Sequence, residues 1–169
     1  MKELIEKLKQ ILGCVSEADI EEANAIVDEI LVIVKSQLHR ISDQELYNYL
    51  VGKYPNVDIQ LWDEEYYLPP LAEWKLVLED VAMWARNNLP EYKRNRFNCE
   101  NFALATWFRV AWVYMINSIG IAIGGGHAFN LIVAYEDGKV VPHTYEPQSK
   151  GKIVFDPPHL IIDRTVILG

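Results

Sequence analysis

Residues 96–148 read RFNCENFALATWFRVAWVYMINSIGIAIGGGHAFNLIVAYEDGKVVPHTYEPQ, and the reading of this stretch decides the fold. Cys99 opens a strongly apolar segment with helical character. His127 opens an apolar strand after three consecutive glycines, and Glu146 closes the strand expected next. Gly124, Gly125 and Gly126 read as a flexible approach that lets backbone pass close to a cleft. They do not read as a phosphate cradle, because no Lys-Ser/Thr follows.

Working outward, the segment from Cys99 to Asn117 is apolar on nearly every side, which predicts a helix buried all round. HAFNLIVAY from His127 to Tyr135 alternates as a strand does. Glu136-Asp137-Gly138 is a hairpin turn signal, and Lys139 to Glu146 returns as a second strand. Pro142 there implies an edge or a bulge. With Asp137-Gly138 as a two-residue turn, His127 faces residue 148 and Glu146 faces residue 129. A shift of one or two residues, which a bulge at Pro142 would supply, brings His127 and Glu146 opposite or diagonal on one face. Lys152 to Asp156 and Leu160 to Leu168 are read as two more strands, divided by Pro157-Pro158.

Upstream, Leu71 to Leu89 has helical spacing at Leu71, Trp74, Leu78, Val81, Trp84 and Ala85, with Pro90 just beyond. Tyr54 to Pro70 reads as an irregular loop long enough to cover a cleft. Ser42 and Glu45 form a capping box for a short helix ending near Gly52. Two earlier helices are expected, Lys2 to Leu12 and, from the cap Ser16, a second running to about His39. Helices first and then an antiparallel sheet give an α+β chain. The expected organisation is a single domain over 1–169: a helical appendage at 1–53, an irregular loop at 54–70, and a core at 71–169 in which the buried helix packs on the sheet.

Half the residues are hydrophobic, with five Trp and nine Tyr, so the chain can bury a substantial core. The formal charge of −8 argues against a nucleic-acid partner. The one basic cluster, Lys93, Arg94 and Arg96, reads as a solvated loop. Cys14 and Cys99 make no disulfide framework. The charged start MKELIEKLKQ is not a secretory signal, and Arg109 interrupts the longest apolar run. The expectation is a cytoplasmic protein with no membrane contact.

The chemistry of the three central residues follows from their expected places. A helix start favours a thiolate at Cys99, an imidazole on the adjacent strand can act as base, and a carboxylate on the next strand can orient it. Cys99 Sγ is then expected within about 4 Å of a His127 ring nitrogen, or slightly farther in an apo form. Two other uses stay open. One is a non-catalytic binding or scaffold protein. The other is a structural metal module using Cys99, His127, His143 and Glu146, although paired spacings of the C-x2-C or H-x3-H kind are absent.

At FNCENFALA, GGGHAFNLIV and YEPQ the sequence resembles papain- and transglutaminase-like cysteine peptidases. The match extends to the family related to the protease domain of the Marasmius oreades agglutinin, a fungal lectin joined to a papain-like protease. The resemblance spans Phe97 to about Gln148. It implies a papain-like core and a cysteine hydrolase that cleaves a peptide, isopeptide or other amide substrate through a thioester. Cys99 would be the nucleophile, His127 the base and acid, and Glu146 the orienting carboxylate. Asn130 and Gln148 match the motif and become substrate or oxyanion candidates. No cofactor or metal is assigned to the site, calcium being implied by the resemblance alone, through Glu100 and Asn101. With no lectin repeat in the chain, sugar binding is not carried over.

Overall fold

A computed structural model of the chain describes residues 38–94, 96–149 and 153–169. The two helices expected before His39 lie outside the described residues. His39 itself begins a strand and does not end a helix. Residues His39–Gly169 form one compact unit. Its elements are β1 (His39–Ser42), α1 (Asp43–Lys53), β2 (Asp58–Leu61), β3 (Glu65–Leu68), α2 (Leu71–Asn88), α3 (Cys99–Tyr114), β4 (Ile119–Gly124), β5 (His127–Glu136), β6 (Lys139–Tyr145) and β7 (Thr165–Leu168).

The chain is α+β, with five strands ordered β2-β7-β4-β5-β6 and a separate antiparallel pair of β1 with β3. The expected antiparallel sheet is mixed, because β2 runs parallel to β7. The supposed loop at 54–70 holds β2 and β3. Four-residue strands, DIQL and EYYL, give too little periodicity to be read in advance. Residues 153–164 are irregular apart from a bridge between Phe155 and Tyr145, so β7 is much shorter than the strand expected from Leu160.

Local chemistry sets the helix limits. Ser42 Oγ accepts from the backbone of Glu45 while Glu45 Oε2 accepts from the backbone of Ser42, a closed capping box at the head of α1. Pro70, extended, precedes α2. At the head of α3, Asn98 N donates to Asn101 Oδ1 at 3.0 Å. Met115, in the left-handed region at φ 52°, ends the helix.

Both faces of the sheet are covered. Phe129, Leu131 and Val133 of β5 join Val166 and Leu168 against Ile41, Leu46, Leu50, Tyr66 and Leu68. On the other face Ile132 and Ala134 join Ile119 and Tyr145 against Trp74, Leu78, Val81 and Val110 of α2 and α3. Burial on both sides explains why β5 is apolar almost throughout. Helix α3 packs on the sheet as expected, but it is not buried all round: Leu104, Phe108 and Trp112 form an exposed stripe, Trp112 at 74%.

Burial also leaves a titration signature. It pushes the Tyr54 phenol up to about 12 and holds Tyr66, Tyr114 and Tyr145 above the usual range, Tyr114 with help from its hydrogen bond to Asp80. These raised values favour the folded state fully below about pH 10, and the contribution is lost as pH climbs through the folded values. Phenolate absorbance should therefore lag in the folded protein and rise together with loss of far-ultraviolet circular dichroism. Phenolate formation complete before any unfolding would contradict this burial.

Candidate functional site

The β5–β6 ladder pairs Glu136 with Lys139, Val133 with Pro142 and Asn130 with Tyr145, so no bulge at Pro142 shifts the register. The turn between them has Asp137 at φ 48° and Gly138 at φ 77°, both left-handed, as a two-residue hairpin turn requires. The unshifted register already makes His127 and Glu146 diagonal neighbours on one face. Tyr145 ends β6, and the chain then turns, with Ser149 N donating to Glu146 O.

His127 Nε2 lies 2.6 Å from Glu146 Oε2. Against an ionised carboxylate this nitrogen is the donor. Gln148 N donates to the other carboxylate oxygen, Glu146 Oε1, at 3.0 Å. Glu146 is thus held on both oxygens and mostly covered, its side chain 14% exposed, while the His127 side chain stays 30% exposed. Gln148 enters the site through its backbone.

Cys99 is a free thiol, half-buried at the head of α3. It packs against the cluster of Ala103, Ile121 and Ala128. Alternation sends Ala128 and His127 to opposite faces of β5, and the His127 ring lies beside Phe129, with centroids 6.0 Å apart. The structure brings together the imidazole and the carboxylate, and among the hydrogen bonds of the described residues none joins Cys99 to His127.

Asn130 is wholly buried, and its Nδ2 donates to Ala103 O at 2.9 Å and Gly120 O at 3.0 Å. It ties α3 to β4 inside the core, and its Oδ1 has no hydrogen-bond partner among the described residues. His143 does not join His127 and Glu146: its Nδ1 lies 2.6 Å from Asp156 Oδ2 and its Nε2 2.9 Å from Glu136 Oε1. The four-ligand metal set is therefore not assembled, and no group of three metal-ligating side chains occurs among the described residues. Lys93, Arg94 and Arg96 are solvent-exposed.

Sequence reasoning did not place two residues near this site. His159 Nε2 is 4.0 Å from Glu146 Oε2. Asp163 accepts from Gly125 N, at 3.3 Å through Oδ1 and 3.2 Å through Oδ2, in the turn that delivers His127. The Pro157-Pro158 pair was the signal that a shaped segment, and not a strand, lay here.

No known protein family's sequence pattern matches the chain, and no curated protein is similar to it. Solved structures are. One, titled "PSL1a-E64 complex", superposes with a TM-score of 0.55 at 17% identity, over 76% of this chain and 51% of that chain. Another, of Polyporus squamosus lectin bound to the human-type influenza-binding epitope Neu5Aca2-6Galb1-4GlcNAc, gives a TM-score of 0.47 at 16% identity, over 68% of this chain and 45% of that chain. The chain spans about half the length of the structures it matches. No helix among the described residues is long and apolar enough to cross a membrane.

These findings correct the functional expectation. The solved structure that shares the fold is a PSL1a complex, found where a papain-like peptidase was expected. The resemblance to papain- and transglutaminase-like cysteine peptidases, including the family related to the agglutinin's protease domain, is overturned by these findings. With it go the hydrolase acting on a peptide or amide and the catalytic triad. The first solved structure shares the fold with this chain.

Proposed function

We propose that the chain is a non-catalytic binding protein that takes a polar ligand beside His127 and Glu146. The observation that supports this most directly is the His127–Glu146 pair itself. Its carboxylate is fixed on both oxygens, while the ring remains accessible. With Nε2 committed to Glu146, the Nδ1 edge of His127 makes no hydrogen bond among the described residues. A neutral ring held this way accepts at Nδ1, so it suits a ligand hydroxyl or amide N–H. A fixed, half-open polar group of this kind sets ligand orientation at low entropic cost.

The structure that shares the fold is a complex with E64, which makes E64 the first probe. Calorimetric titration of the protein with E64 should show saturable binding, with E64 recovered unchanged by mass spectrometry. Glu146→Gln should weaken that binding about tenfold, the loss of one charge-assisted hydrogen bond. Turnover of peptide or amide substrates that Cys99→Ala removes, or E64 retained covalently on Cys99, would overturn the non-catalytic reading.

A further inference from the structure

We infer that His159 is a second ligand-contacting residue of this site, presented on a strap that is fixed at both ends. The inference rests on the binding reading above and adds the other half of the recognition. The strap runs from Asp156 to Asp163. At its start Asp156 Oδ1 accepts from Thr144 N at 2.8 Å, Asp156 Oδ2 meets His143 Nδ1 at 2.6 Å, and Asp156 N donates to Thr144 O at 2.9 Å. Both nitrogens of His143 face carboxylates, Asp156 on one side and Glu136 on the other, so the ring staples the strap to the sheet's edge. At the far end Asp163 accepts from Gly125 N, and Arg164 N donates to Ile123 O at 3.2 Å. Between the anchors Leu160 is buried in the core and its N–H donates to Pro157 O at 3.0 Å.

His159 sits on this turn with its side chain 65% exposed and Nε2 4.0 Å from Glu146 Oε2. The backbone beneath it is held, but among the described residues the ring makes no hydrogen bond. Each Glu146 oxygen already accepts one short bond, from His127 and from Gln148 N, and His159 stands beyond hydrogen-bond reach of it. An exposed imidazole on a rigid mount, beside a carboxylate whose short bonds go to other groups, has an N–H to offer a ligand. The site then reads a ligand at two points: His127 Nδ1 takes a donor, and His159 takes an oxygen acceptor such as a carboxylate or carbonyl. Fixing the mount beforehand limits the ordering that binding must impose.

Two measurements test this. First, E64 is titrated into wild type and His159→Ala, a change that leaves His127, Glu146 and both strap anchors in place. At least a fivefold loss of affinity is expected; equal affinity in both proteins overturns the inference while the binding reading stands. Second, with no ligand present, Glu146→Gln should move the ring resonances of His159 as well as those of His127 in proton–carbon NMR spectra. If wild type fails to bind E64, the choice of that ligand falls. The NMR result then decides alone: His159 resonances unmoved by Glu146→Gln overturn its place in the site.

Discussion

Replacing Gly120 with alanine is expected to destabilise the protein by about 3 kcal/mol or more, the upper range for overpacking a core. Gly120 lies in β4, paired with Leu131 on one side and Leu168 on the other. A Cβ there would stand 1.7 Å from Ile167 O and 2.9 Å from Leu168 Cα. Both obstacles are backbone, so no rotamer change relieves the clash, and β7 must move away or β4 must twist. Asn130 Nδ2 also donates to Gly120 O, so movement of β4 would break a buried bond as well. At this size the loss corresponds to a fall in Tm of about 10 °C. Gly52→Ala, near the end of α1 where an added Cβ meets nothing within 4 Å, is the control and should hold or raise stability. Thermal melts in which Gly120→Ala matches wild type would show that β7 does not approach β4 this closely.

Trp74→Ala should cost about 3–5 kcal/mol, the range for emptying a large aromatic site. Trp74 is fully buried on α2 and packs with Leu78, Val81, Val110, Ile132 and Tyr145. Its indole Nε1 donates to Val133 O at 3.1 Å, joining α2 to the middle of β5. Alanine removes both the volume and that bond. Phenylalanine keeps most of the volume and loses the donor, so Trp74→Phe should cost about 1 kcal/mol. Urea unfolding separates the two, and equal midpoints for the two variants would mean that the indole does not fill this core.

How much of this was legible depends on how local the signal is. The head of α1 could be read because Ser42 and Glu45 act across three residues. The register of β5 and β6 could be read because a two-residue turn fixes every pair beyond it. Strand β4 could not: IGIAIG carries two glycines and is almost wholly buried, so neither propensity nor alternation marks it. Its glycines are explained only by the close approach of Ile167 at Gly120 and of Ile161 at Gly124. The apolar sequence of α3 predicted burial on every side, yet composition cannot tell a covered face from the exposed stripe of Leu104, Phe108 and Trp112. At the site, the hairpin geometry sufficed to bring His127 to Glu146. Whether Cys99 joined them depended on how α3 docks on β4 and β5, which no spacing within one hairpin determines. Asn130 shared the motif with these residues, but its side chain serves the interior of the sheet.

The parallel pairing of β2 with β7 bears on the order in which the sheet can assemble. Strand β5 meets β6 through a tight turn, and β4 meets β5 across Gly125-Gly126, so these three can form from nearby chain. Strand β2 precedes all of them in sequence, yet its ladder partner in the sheet is β7, the last strand of the described unit. It has no place in the ladder until that last strand has been made and has docked on β4. The contact that completes the sheet is therefore among the most distant along the chain, and closing so long a loop is the kind of step that slows folding. Until it closes, β7 presents an unpaired edge to any other strand that arrives first.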